Sequence, residues 1–311
     1  MKRFVTTLCC LLAFVGILAS CDWQNAPNDD GRVRVVSTLF ASYDFLRAIA
    51  GDSAALTMLL PPGAESHSYE PTPQDILTVQ NCDVFVYVGG ESDAWVENLL
   101  AAVDQSKLRI VTLIDCVETV DEAALPGIEA EEEEAPETDE HVWTSPRNAA
   151  LIVQRLRDVL QEVDPAHEDL YRQNTENSLS ALNALDARFK AIVAGGARKT
   201  LVFGDRFPFR YFADAYGLTC YAAFPGCSPE TEASAKTVQF LVDTVRTEKI
   251  PVVLHIEMGN EKMATAIAEA TGAQVLELHA AHNITADDFR AGVTYLDIME
   301  RNAAVLKTAL G

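Results

Sequence analysis

Basic residues are in short supply: 24 Lys and Arg stand against 46 Asp and Glu, a formal charge of -22 over 311 residues. Nucleic acid binds through Lys and Arg on its phosphates, so a chain this acidic is a poor partner for it. It attracts cations over long range instead, an effect that salt weakens. No apolar run beyond the N-terminus is long enough to span a bilayer. The seven cysteines include no CxxC pair. Cys82, Cys116, Cys220 and Cys227 are scattered, so buried thiols and bridges both stay open. HExxH and the nucleophile elbow are also missing, which removes two common hydrolytic sites. Histidine is rare as well: six in the chain, four of them in the segments singled out below.

What is present begins with an export signal. Lys2 and Arg3 precede an apolar stretch, Phe4 to Leu18, too short for a comfortable transmembrane span. Leu18-Ala19-Ser20-Cys21 then places small residues before a cysteine, which resembles a bacterial lipobox. Residues 1–20 are expected to be a signal peptide and Cys21 the lipidated N-terminus of an extracytoplasmic, membrane-anchored protein. Residues 21–32 are polar and read as a tether.

About 290 residues then remain, suited to two lobes of ordinary domain size. Strand-length apolar runs alternate with amphipathic stretches in both halves: Val33–Leu39, Leu56–Leu60, Asp83–Val88 and Arg109–Ile114, then Lys199–Phe203, Thr219–Phe224, Val252–Glu257 and Gln274–His279. The fold class is α/β: two Rossmann-like parallel-sheet lobes, residues 33–165 and 197–311. From His167 to Ala194 there is neither Pro nor Gly, and Leu170, Leu179, Leu182, Leu185, Phe189 and Ile192 recur at helical spacing. Residues 166–196 are therefore expected to be one stiff helix joining the lobes, with a pair of shorter helices in a single domain as the alternative. The acidic run from Glu129 to Glu140 reads as a solvated loop or a weak collector of divalent cations.

Four segments carry candidate chemistry, each at a strand end or helix start. His67 lies in His67-Ser68-Tyr69-Glu70-Pro71-Thr72-Pro73, on a loop stiffened by prolines. His141 lies in Glu140-His141-Val142-Trp143-Thr144-Ser145-Pro146, just before a helix. Asp205 follows a strand, and His279 and His282 follow the last one. Histidines and a carboxylate meeting between lobes make a nitrogen- and oxygen-rich site suited to zinc, whereas manganese takes more carboxylate oxygen. Glu257, at a strand end, would support the ligands from behind. His167 is expected at the surface and His255 packed.

Together these segments resemble the zinc/manganese solute-binding lipoproteins of ABC importers, a family built around one rigid inter-lobe helix. The His67 and His141 motifs are close to its two hallmark motifs, and Tyr211 to Leu218 matches the stretch after its third ligand. The resemblance implies that His67 and His141 bind the metal from the N-terminal lobe, in a cleft between the lobes, with a membrane permease as partner. The family's third ligand falls on Arg206, which cannot ligate. Asp205 could substitute, with Arg206 holding an acidic residue behind the ligands, and His279 and His282 stand where the family has its fourth. The expected function is capture of a divalent transition metal, zinc before manganese, without catalysis. A siderophore or cobalamin binder, a zinc hydrolase and an added role in cell adhesion are the alternatives.

Overall fold

The computed structural model describes residues 31–65, 69–90, 93–122, 126, 137–226 and 233–311. The leader, Cys21, nearly all of the tether, His67, Cys227 and most of the acidic run lie outside the described residues.

Four strands, β1 (Val33–Ser37), β2 (Ala54–Met58), β3 (Val84–Tyr87) and β4 (Arg109–Thr112), form a parallel sheet in the order β2-β1-β3-β4. Four more, β5 (Thr200–Arg206), β6 (Thr219–Phe224), β7 (Val252–His255) and β8 (Gln274–Glu277), repeat the plan as β6-β5-β7-β8. This is the expected α/β arrangement of two parallel sheets. The strand order reverses between β1 and β3 and between β5 and β7, and open α/β sheets take ligands in the crevice at such points, beyond the strands' C-terminal ends. Those ends lead into Thr38, Leu39 and Val88 in one sheet and Arg206, Ile256 and Glu257 in the other.

The crossovers are short helices whose starts the sequence marks. In the first half they are α1 (Phe40–Ala50), α2 (Pro73–Gln80) and α3 (Ala94–Ala101). Thr72 and Asp75 form a capping box at α2, with Pro73 in its first turn. The two longest helices, α4 (Pro146–Val163) and α5 (Glu168–Gly195), separate the sheets in sequence. In the second half follow α6 (Arg210–Tyr216), α7 (Ala235–Glu248), α8 (Lys262–Thr271), α9 (Ala286–Ala291) and α10 (Tyr295–Leu310).

Helix α5 runs unbroken for 28 residues, about 42 Å. Its buried face is Tyr171, Thr175, Leu182, Leu185, Phe189 and Val193. Leu170, expected inside, is 41% exposed. Adjacent helical residues point about 100° apart, and Tyr171 takes the inward position. Its hydroxyl donates to Asp164, which precedes the helix, at 2.6 Å. His167 is exposed and pairs with the same carboxylate, and His255 is buried, both as expected.

One apolar core links the two halves, from Val35 and Phe45 through Trp143, Leu156 and Phe189 to Phe203, Phe212 and Ile298. The long helices are packed within it instead of bridging solvent. Gly204 on β5 approaches α8 so closely that a Cβ there would stand 2.4 Å from Ala264 Cα. Gly204→Ala is therefore expected to cost about 1–3 kcal/mol by overpacking. A lower urea midpoint at unchanged slope would show it; an unmoved midpoint would mean that α8 yields freely.

Cys82, Cys116 and Cys220 are free thiols. Burial pushes Cys82 up to about 12 and Cys116 up to about 11, so both stay protonated and inert at neutral pH. Among the described residues, no helix is long and apolar enough to cross a membrane.

Candidate metal site

His141 sits in a one-turn helix start immediately before α4, 1% exposed. Asp139, two residues earlier, accepts hydrogen bonds from both the His141 backbone N–H (2.9 Å) and the ring Nδ1 (3.1 Å). The carboxylate accepts from Nδ1–H, so in the neutral ring the lone pair lies on Nε2. Burial pushes the imidazole down in pKa, but Asp139, Glu140 and Glu122 outweigh it and hold His141 above its ordinary value. From the second lobe, the Tyr211 hydroxyl donates to the Asp139 carbonyl at 2.7 Å. The stretch beginning at Tyr211 thus braces the His141 turn.

The turn after β8 delivers His282 in the same way. Glu257, 4% exposed, accepts from the His282 backbone N–H at 2.9 Å, from its ring Nδ1 at 3.1 Å and from the Ala280 N–H at 2.6 Å. Burial would raise the Glu257 pKa, yet His279, His282 and the Ala280 N–H outweigh it and hold the carboxyl well below the usual carboxylate range. It is therefore ionised, and the His282 lone pair also lies on Nε2. Burial lowers the pKa of His282 itself against the pull of Glu257, which keeps the ring neutral.

The two imidazoles meet edge to face, centroids 4.9 Å apart and planes at 83°. Trp143 lies against both, at 5.7 Å from His141 and 5.3 Å from His282. Its indole N–H donates to the Ala280 carbonyl at 2.7 Å, stitching the two turns together. The His282 carbonyl accepts from the Phe40 N–H at 2.9 Å, and Asn283 donates to the carbonyls of Pro61 (2.7 Å) and Ala64 (2.8 Å). The loop leading to His67 is thereby tied to the loop carrying His282.

The other candidates take different places. Both Asp205 oxygens accept backbone N–H groups, of Arg206 at 2.8 Å and Ile256 at 3.2 Å, so this carboxylate staples the ends of β5 and β7. Burial raises its pKa against those bonds. His279 Nδ1 accepts from the Ala281 N–H at 3.0 Å, and Asn302 grips the His279 backbone from both sides. Arg206 donates to Glu65 at 3.2 Å. Among the described residues, no group of three or more His, Cys, Asp or Glu is gathered in metal-binding geometry; the paired rings are His141 and His282.

Sequence reasoning passed over four residues that matter at this site. Asp139 and Glu140 close the acidic run expected as a solvated loop or a cation collector, yet both are buried, and the Asp139 carboxylate holds the His141 turn. The spacing Asp139-x-His141 was the available signal. Trp143 belongs to the His141 motif, but its role, like those of Glu65 and Asn283, rests on contacts distant in sequence.

The zinc-binding lipoprotein AdcA of Streptococcus pneumoniae is 31% identical over 99% of the chain, which spans 61% of that relative's length. The high-affinity zinc uptake system protein ZnuA of Bacillus subtilis is 27% identical, over 99% of this chain and 96% of its own. The crystal structure of the zinc-bound ZnuA-like domain of the S. pneumoniae AdcA superposes with a TM-score of 0.74 at 28% identity, covering 90% of this chain and 99% of that one. Residues 35–309 match the family model described as zinc-uptake complex component A, periplasmic, and the chain belongs to that family.

Proposed function

We propose that the protein captures a divalent transition metal, zinc in preference to manganese, as cargo and delivers it to an ABC permease. The observation that carries this reading is the matched fixing of two buried imidazoles from opposite lobes. Asp139 and Glu257 each accept a hydrogen bond from a ring Nδ1, so each ring turns Nε2 to its other side, and both rings line one cavity. Carboxylates behind ligating histidines set the tautomer, orient the ring and raise its basicity. In this reading His141 and His282 ligate through Nε2, and His67 completes the set from the loop held by Asn283. Asp205 and His279 support the strand ends and the His282 turn.

The reading extends to the ends of the chain. Residues 1–20 serve as the leader, Cys21 bears the lipid, 21–32 tether the receptor outside the cell membrane, and 166–196 connect lobes 33–165 and 197–311. The two carboxylates that hold the ring Nδ1 nitrogens, Asp139 and Glu257, are committed to imidazole and backbone, as a receptor that only holds its cargo requires. Zinc and manganese titrated into chelator-stripped protein test the proposal. One equivalent of zinc should bind tightly, and His67→Ala should weaken it; the absence of tight binding by either ion would overturn the reading.

A further inference from the structure

Arg206 stands where the resemblance to the metal-binding lipoproteins places their third ligand. The β5–β6 register shifts between Phe203 and Arg206, and Asp205 pins the Arg206 backbone. The side chain thereby enters a small cavity lined by Glu65, Glu257, His282 and Asn283. There its Nη2 donates to Glu65 Oε1 at 3.2 Å, with the guanidinium largely shielded, its side chain 14% exposed. Glu65 is delivered independently of that pair. Its loop is held by Asn283 on the Pro61 and Ala64 carbonyls and by the Gly63 N–H, which donates to the Ile284 carbonyl at 2.8 Å. The second carboxylate of the cavity, Glu257, is already committed to imidazole and backbone.

We infer that Arg206 is a specificity-determining residue: by pairing with Glu65 it withholds a carboxylate from the cargo and leaves imidazole nitrogen as the donor offered. The inference rests on the metal-receptor reading above. A guanidinium offers donors and no acceptor, so Arg206 cannot itself stand in as a ligand for the carboxylate it holds. Imidazole suits zinc, and carboxylate oxygen suits manganese. Denying a donor to the competitor discriminates as effectively as improving the fit of the preferred ion. Glu65 freed of its partner would stay beside His282, because its loop is fastened by other bonds.

The test compares zinc and manganese affinities of the stripped full chain with those of Arg206→Gln, of Arg206→Met and of the double variant Arg206→Gln/Glu65→Gln. Circular dichroism checks that each variant folds. Either single variant should raise manganese affinity relative to zinc by about tenfold, the size of effect seen for groups behind metal ligands. Adding Glu65→Gln should abolish that gain. A ratio unchanged in both single variants overturns the inference, and so does a gain that survives in the double variant. If the unaltered protein binds neither ion, the receptor reading itself fails and takes this inference with it.

Discussion

Zinc affinity is expected to fall at least about a hundredfold in His141→Ala and in His282→Ala, more than for any change behind the rings. Substitutions of groups behind metal ligands typically cost about 10–100-fold, and removing a ligand deletes the donor itself. The two rings hold matching positions: each is buried, each has Nδ1 committed to a carboxylate, and their centroids lie 4.9 Å apart. Asp139→Asn and Glu257→Gln should fall in the lower range, because the amides can present a donor to Nδ1 and allow the wrong tautomer. Competition against a chelator of known affinity would rank the four. Equal losses for His141→Ala and Asp139→Asn would mean that Asp139 acts on the metal directly. An unchanged affinity in either alanine variant would remove that ring from the site.

Trp143→Ala should cost about 3–5 kcal/mol of stability, more than Gly204→Ala. The side chain is fully buried in the core that both halves share. Its indole N–H satisfies the Ala280 carbonyl, and its own carbonyl accepts from the Tyr295 hydroxyl at 2.7 Å. Alanine would open a cavity and strip a buried carbonyl of its donor, costs that add. Trp143 also lies against both histidine rings, so zinc affinity should drop with stability. Urea unfolding of the metal-stripped protein separates the two effects, since bound metal would add its own stabilisation. A loss below about 1 kcal/mol would show that the surrounding turns collapse onto the gap.

Much of this architecture could be read along the chain. The strand runs are short and apolar, and each forms a strand within two residues of its expected ends except β5, which continues three residues further, to Arg206. The long helix was equally plain, from the lack of Pro and Gly between His167 and Ala194. Its face was misread at one point: Leu170 and Tyr171 are both apolar neighbours, and periodicity cannot say which of two adjacent residues meets the core. His141 and His282 stand out because histidine is rare, with His141 just before a helix and His282 just after the last strand.

Contacts between distant segments stayed hidden from that reading. Asp139 looked like the end of a solvated acidic run, and only the fold shows its carboxylate buried against His141, with the Tyr211 hydroxyl on its carbonyl. Asp205 and His279 carried suitable chemistry, yet their bonding to strand ends and turns depends on which backbone N–H groups come near. The pairing of Arg206 with Glu65 joins residues 141 apart. Local pattern governs which face of a strand or helix is apolar, because that property belongs to neighbouring residues. Which carboxylate meets which imidazole or guanidinium depends on how two sheets are set against one another, and a single chain position carries no record of it.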